Sequence, residues 1–421
     1  MALTTSFLIV GGGTFGTAAA YELTRRGYTS VTVLDRSAPP SCEAAGNDLN
    51  KAVRADYADP LYVKMATEAI DAWRDPNGLY AGLYSRTGWI LASDQDASEW
   101  IRQCSATAAG LGVENAQDIS SEQIKARWPV LRGPMADWST FWNGSAGWTN
   151  AREALNRVAK AAMNRGVKYI SGSAGQVDCL LYDERGRCIG ARCRNGNAHY
   201  ADHVVLAAGA YSAALLDLKG QLVAKGHSVG HIKLTKNEAK KYADMPLVAH
   251  MTGGLLFPPQ EDDIIKCSAM QFVTNYAGTR RGLSLPRYRT DYPGDGLPAH
   301  IEKAMRSFIG QVLPELEHRE WFETRICWDA DMNDYNFLFS HHPQHAGLSL
   351  AVGGSAHGFK FFPIIGKYIV DMLESKLDPA TRQQWRWRPD AKRPADAPEP
   401  HPAELLDLND LPGWKRPRAM L

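Results

Sequence analysis

The sequence predicts an α/β protein: one domain built on a parallel sheet covered by helices, and a second α+β domain built on a mixed or antiparallel sheet. Three observations predict it. An all-apolar run, Phe7-Leu8-Ile9-Val10, enters a glycine-rich turn and then a small-residue helix. A second apolar run, Val204-Val205-Leu206, ends in Ala207-Ala208-Gly209. Further along, Gly254-Leu255-Leu256-Phe257 and Ile264-Ile265 read as strands of a separate sheet.

The first run suits a strand buried on both faces. It leads into Gly11-Gly12-Gly13-Thr14-Phe15-Gly16, which contains G-x-G-x-x-G. Ala18, Ala19, Ala20 and Leu23 then form a helix able to lie close to a sheet, and Gly27 ends it. Val31-Thr32-Val33-Leu34 is the next strand, closed by Asp35. In this order each residue has a physical task. Gly11 permits the tight turn, Gly13 admits a pyrophosphate to the backbone, and Gly16 lets helix pack on strand. The helix N-terminus offers N–H donors to phosphate, and Asp35 can accept from a ribose hydroxyl. This is a Rossmann-type dinucleotide site; the motif alone leaves NAD and FAD open.

Composition excludes other classes. The chain has 421 residues, with 47 Lys+Arg against 46 Asp+Glu and a net charge of +1. Such a balance argues against a nucleic-acid binder or a polybasic membrane anchor. No run approaches the ~20 apolar residues of a membrane span, and the N-terminus lacks the features of a signal peptide. Seven scattered cysteines without a C-x-x-C pair argue against a disulfide framework or structural zinc and for a reducing, cytoplasmic setting. The terminal Ala419-Met420-Leu421 faintly resembles a peroxisomal address, with Met in the middle place.

Two later segments carry a resemblance. Residues 201–212 are similar to the strand that returns to the cofactor in FAD-dependent oxidoreductases, preceded by expected strands at 167–171 and 175–181 around a turn. Toward the C-terminus stand Arg325-Ile326-Cys327-Trp328-Asp329-Ala330-Asp331, His342-Pro343 and Gly353-Gly354-Ser355-Ala356-His357-Gly358-Phe359-Lys360, then an amphipathic helix through Ile364, Ile365, Ile369, Val370 and Leu373. With Ala45-Gly46-Asn47-Asp48-Leu49-Asn50-Lys51, Gly172-Ser173 and Ile265-Lys266-Cys267, these resemble the amine-oxidising flavoenzymes of the sarcosine oxidase family. The resemblance extends to fructosyl amino acid oxidases (amadoriases) and to saccharopine and pipecolate oxidases, and it spans nearly the whole chain.

The resemblance implies FAD, attached through Cys327, and oxidation of a secondary amine or N-substituted α-amino acid. Hydride leaves for flavin N5, an imine forms, and O₂ is reduced to hydrogen peroxide. It places cofactor contacts on Gly11, Gly13, Thr14, Phe15 and Gly16, on Asp35, Arg36 and Ser41, on Asn50 and Lys51, on the Val177 backbone, on Ala208 and Gly209, and on Cys327, Gly358, Phe359 and Lys360. Lys360 and Arg54 match residues that hold a substrate carboxylate. Lys51 and Arg54, three apart, share one side if that stretch is helical. His357 and Lys360 share one face of the turn opening a helix, whose positive end faces the pyrimidine edge of the flavin. Lys266, at the end of Ile264-Ile265, matches a lysine that assists O₂ reduction. Ala269, Met270 and Gln271 depart from deglycating enzymes, which carry an acid there for the sugar.

Residues 1–87, 148–215 and 325–390 are expected to form the FAD-binding domain, 88–147 and 216–324 the substrate domain, and 391–421 a Pro-rich tail with a short helix around Glu404 to Leu408. No metal site is expected: His341, His342 and His345 lack partner carboxylates, and Asp329, Asp331 and Asp334 lack a glycine hinge. Tyr276, Arg280, Arg281, Arg287 and Tyr288 form a basic aromatic loop, read as a channel loop or plain surface. Trp385-Arg386-Trp387-Arg388 reads as tail docking by aromatic burial. The partners expected are a small-molecule amine and molecular oxygen, with no nucleic acid and no membrane; oligomeric state is not readable. Three alternatives stand beside the oxidase: a biosynthetic oxidase whose imine cyclises, a flavin-binding sensor without turnover, and a nicotinamide dehydrogenase.

Overall fold

The computed structural model describes residues 2–94, 98–113, 117–260, 262–276, 282–392, 406–412 and 414. Two large sheets organise them. The first has six strands in the order Leu338–His341, Leu348–Val352, His203–Leu206, Phe7–Val10, Val31–Leu34 and Lys168–Ile170. All neighbours are parallel except the edge strand Leu338–His341. Phe7–Val10, at its centre, is buried along its whole length, as an all-apolar strand covered on both faces must be.

Helix Thr14–Arg25 crosses one face and packs against helices Phe362–Leu373 and Ala151–Asn164. Its approach depends on Gly16, where a Cβ would fall 1.8 Å from the Gly11 carbonyl oxygen. Gly11 itself sits at φ +106°, a backbone state that favours glycine. The 362–373 helix is apolar around most of its circumference because helices and sheet cover it on several sides.

The second sheet is mixed. Its order runs Glu323–Met332, Leu222–Lys233, Ile264–Thr274, Gly254–Phe257, Leu247–His250, Trp89–Ser93, Ser139–Asn143 and Gln117–Asp118. The Leu247–His250 and Trp89–Ser93 pair is parallel, and Leu406–Asp407 adds in parallel to Ile264–Thr274. Helix Ala299–Val312 packs on this sheet. A small sheet of Lys51–Val53, Gly147–Thr149 and Tyr84–Ser85 lies between the two chain segments that enter and leave the second sheet.

Several expectations change here. Lys51–Val53 is a strand, so the three-residue spacing of Lys51 and Arg54 does not place them on one helical face. The expected boundary at 325 falls inside Glu323–Met332, which pairs with Leu222–Lys233 along ten residues of the second sheet. The run 325–332 is half-buried at residues 325–327, mostly buried from Trp328 on, and carries charge, unlike the all-apolar, fully buried Phe7–Val10. The expected strands at 167–171 and 175–181 belong to different sheets: Lys168–Ile170 joins the parallel one, and Val177–Tyr182 begins a three-stranded antiparallel sheet. Around the expected closing helix, Leu406–Asp407 is a strand and Leu408 is buried; Glu404 and Leu405 lie outside the described residues. Arg280, Arg281 and the terminal Ala419-Met420-Leu421 also lie outside them. Trp385 is fully buried, as tail docking requires. All seven cysteines are unpaired, and no described helix is long and apolar enough to cross a membrane.

Candidate active site

The glycine turn opens into a cleft of about 180 Å³. Gly11, Gly13, Thr14, Phe15, Asp35, Arg36, Ser41, Val177, Ala208, Gly209, Gly358 and Phe359 all line it. Asp35 closes the second strand from inside the turn. Its Oδ2 accepts from the Gly12 N–H at 2.8 Å, and its Oδ1 accepts from the Ser37 N–H at 2.8 Å and the Ser41 hydroxyl at 3.0 Å. Burial raises its pKa against those hydrogen bonds. Arg36 forks onto Asp291 at 2.6 and 2.9 Å and lies over the Tyr288 ring. Tyr288 itself lines the cleft. Of the basic aromatic loop, Tyr288 therefore belongs to the cleft wall, whereas Tyr276 is exposed.

At its far end this cleft meets a cavity of about 570 Å³. Lys51, Asp329, Ala356 and Phe359 line both. The junction is shaped by a strained turn. Ser355 and Ala356 hold φ of 47° and 58°, uncommon for residues with a Cβ. The Ser355 N–H donates to the Ala330 carbonyl at 2.9 Å, and its hydroxyl accepts from the Met332 N–H at 3.1 Å. Opposite, Gly46 fits only as glycine, since a Cβ would lie 2.3 Å from Thr14 Oγ1.

One wall of the cavity carries Arg54, Tyr57, His357 and Lys360. His357 Nε2 bonds the Tyr335 carbonyl at 2.9 Å, and a carbonyl only accepts, so Nε2 carries the proton. Nδ1 must then accept from the Tyr57 hydroxyl at 3.1 Å. Burial pushes this ring down to about 3, so it is neutral. The same hydroxyl accepts from Lys360 Nζ at 2.7 Å, and Lys360 also donates to the His357 carbonyl at 2.9 Å. Arg54 donates to the Asp56 carbonyl and stacks on Tyr57 and Trp89.

The other side holds Lys266, only 1% exposed, inside the Ile264–Thr274 strand and not at its end. Its Nζ donates to Asp48 Oδ2 at 2.6 Å and to the Asn50 carbonyl at 2.8 Å. Lys51 reaches the same Asp48 oxygen at 3.0 Å, and Arg325 reaches Oδ1 at 2.7 Å. Burial alone would raise the Asp48 carboxyl, but three cations hold it well below the usual range. Burial lowers Lys266 to about 8, with Asp48 opposing. Cys327 faces His227 across the Leu222–Lys233 strand and borders the cavity.

The model of the family described as FAD dependent oxidoreductase matches residues 6–372. The chain belongs to this family. It is 30% identical over 414 residues to the L-saccharopine oxidase of Schizosaccharomyces pombe, covering 92% of this chain and 94% of that protein. Its structure superposes with TM-score 0.90 on the fructosamine oxidase Amadoriase II of Aspergillus fumigatus, at 31% identity over 100% of this chain and 99% of that one. The fructosyl peptide oxidase of E. terrenum gives TM-score 0.90 and 32% identity over 99% of both chains.

The residues fit FAD. The cleft supplies a glycine turn at a helix N-terminus and an acid at the second strand end, and it continues into a second chamber where a ring can be presented. Asn50 is fully buried, and its side-chain oxygen and nitrogen have no partner in the protein; such a pair suits the polar edge of a flavin. Asn50 and Gly16 do not line the cleft itself: Gly16 stands behind the turn. Lys360, Arg54, Lys266 and Cys327 border the cavity, not the cleft, and Lys51 borders both.

Residues given no role from the sequence include Asp48, Tyr57 and His227. Asp48 had a signal, since a lysine buried in a strand needs an acid. The others are brought in by long-range packing. His227, Asp329 and Asp331 offer ligand atoms within 4.8 Å of one another, but Asp331 already pairs with Lys225 at 3.1 Å. His341 bonds Ser349, and His342 Nδ1 accepts from the Gln344 and His345 N–H groups.

Proposed function

We propose that this chain is an FAD-dependent oxidase of secondary amines that carry a carboxylate beside the amine, releasing hydrogen peroxide. The observation that carries the reading is the junction: the nucleotide cleft opens onto a cavity whose wall presents Arg54 and Lys360. A guanidinium and a lysine nitrogen on one wall suit a carboxylate. Bound FAD supplies the two-electron acceptor for the C–H bond beside nitrogen and the donor to O₂. The chain's part is to bind and orient. Arg54 and Lys360 hold the carboxylate, so the C–H bond is presented at the junction. Tyr57 fixes Lys360, and His357 fixes Tyr57. The buried charge of Lys266 stabilises negative charge developing on oxygen.

Cys327 is proposed as the point of covalent attachment, supported by its place beside the junction and by the resemblance. Digestion and mass spectrometry test it, with flavin mass expected on the Cys327 peptide. The substrate is proposed to be of the saccharopine, pipecolate or sarcosine kind in preference to a sugar amine. Ala269 and Met270 line the cavity where an acid for the sugar would stand. A panel of sarcosine, pipecolate, saccharopine and fructosyl-valine, scored by peroxide release, tests this. Release with fructosyl-valine alone would overturn it.

A further inference from the structure

We propose that Lys360 takes the ammonium proton of the incoming substrate, so that one transfer both frees the amine lone pair and creates the cation that pairs with the carboxylate. The proposal rests on the secondary-amine reading of the cavity. In neutral water such a substrate is a zwitterion, with a protonated nitrogen and an ionised carboxylate. A protonated nitrogen has no lone pair to assist loss of the neighbouring hydride, so a base must receive its proton.

Two lysines border the cavity in full burial, and their partners differ. Lys266 faces the Asp48 carboxylate at 2.6 Å. Lys360, 5% exposed, donates only to neutral oxygens: the Tyr57 hydroxyl at 2.7 Å and the His357 carbonyl at 2.9 Å. Among the described residues no carboxylate forms an ion pair with it. Arg54 stacks on the same Tyr57 ring, 4.7 Å from its centroid, which places a second positive charge nearby. Buried charge without a counter-ion is costly. Two hydrogen bonds to fixed acceptors leave the third position of Nζ for a lone pair. The charged groups around it are Arg54, which disfavours its proton, and Asp56 and Asp329, which favour it; burial is the largest influence and the balance lies well below the ordinary lysine value. Tyr57 cannot serve as the base, because its hydroxyl donates to His357 Nδ1. His357 cannot, because both ring nitrogens are engaged. Asp334 is forked by Arg388, and Asp59 caps a helix and accepts from Gln384.

The transfer balances. The N–H bond of the substrate ammonium breaks, its electron pair stays on nitrogen, and a new N–H bond forms on Nζ. Neutral lysine and zwitterion become lysine ammonium, neutral amine and carboxylate. The total charge in the cavity is unchanged, so binding a zwitterion exchanges no proton with solvent. A carboxylate lacking an amine must instead draw its proton from water.

Calorimetry on the FAD-loaded enzyme, at neutral pH in two buffers of different ionisation heat, counts those protons. Methoxyacetate, with an ether in place of the amine, is expected to bind with uptake of about one proton. Its affinity should then fall about tenfold per pH unit as pH rises. 2-Aminoisobutyrate, an ammonium carboxylate with no hydrogen to lose beside nitrogen, is expected to bind with none. Lys360→Arg, a permanent cation, should bind methoxyacetate without uptake, and Lys360→Met should show no uptake if it binds. Wild-type binding of methoxyacetate without proton uptake, or uptake that survives in Lys360→Arg, overturns the proposal. So does failure of methoxyacetate to bind an enzyme whose flavin is bleached by a carboxylated secondary amine. An enzyme bleached by no such amine contradicts the functional reading instead.

Discussion

Lys266 Nζ lies 2.6 Å from Asp48 Oδ2, in a pair where the acid is fully buried and the lysine 1% exposed. The strand that carries Lys266 belongs to the mixed sheet, and the acid comes from the loop leading out of the parallel-sheet domain. Lys51 and Arg325 converge on the same carboxylate. Asp48 thus ties both parts of the molecule together beneath the cavity.

Removing that acid leaves three cations without their common partner. Breaking a buried pair from one side costs about 3–5 kcal/mol. Asp48→Asn is expected to unfold at distinctly lower denaturant, with the loss partly restored in Asp48→Asn/Lys266→Met. Denaturation of the two single variants and the double variant measures the coupling. Additive losses would show that the contact contributes little.

The charge on Lys266 sets a pH dependence. Burial lowers this lysine to about 8, so its positive charge is present below that pH and lost as pH rises through it. If the charge assists O₂ reduction, flavin reoxidation slows above about pH 8. Stopped-flow mixing of reduced enzyme with O₂ measures this. Lys266→Met should be slow and flat with pH; a wild-type rate in that variant removes the role.

Arg54 is expected to act on substrates through their carboxylate. A hydrogen bond to a charged group contributes about 1.5–3 kcal/mol, so Arg54→Met should lower kcat/KM roughly 10- to 150-fold for a carboxylated amine. The corresponding amine without the carboxylate should be nearly unaffected. Equal losses on both would mean that Arg54 supports the wall by stacking on Tyr57 and Trp89.

Arg388 should matter to stability. It is 6% exposed and forks onto Asp334 at 2.6 and 2.7 Å, while also donating to the Phe337 and Asn336 carbonyls. Arg388→Ala removes the guanidinium from a half-buried acid, which keeps its Asn336 hydrogen bonds, and from the Phe337, Arg386 and Asn336 carbonyls, for a loss of about 1.5–3 kcal/mol. Urea unfolding checks it. A loss under 1 kcal/mol would contradict this reading of the tail junction.

The nucleotide half of this site was legible because its signals are local. Phe7–Val10, the glycines and Asp35 lie close together in sequence, and each has a backbone reason for its identity. The mixed sheet was legible only in outline. Residues 323–332 carry the cysteine and belong to that sheet, because the 222–233 strand meets them along ten residues, a long-range pairing that periodicity does not encode. The spacing of Lys51 and Arg54 left a helix open, because a three-residue interval is neutral between helix and loop, whereas pairing with Gly147–Thr149 makes Lys51–Val53 a strand. Tyr57 escaped notice for the same reason: its hydroxyl meets Lys360 only after some three hundred residues of chain have folded back.

The most direct test is spectroscopic. The purified protein should absorb near 450 nm, roughly where flavins do. Without oxygen, carboxylated secondary amines should bleach that band. Amines of the same shape lacking the carboxylate should bleach it far more slowly. A yellow protein that no secondary amine bleaches, or one bleached equally well without the carboxylate, would contradict the account.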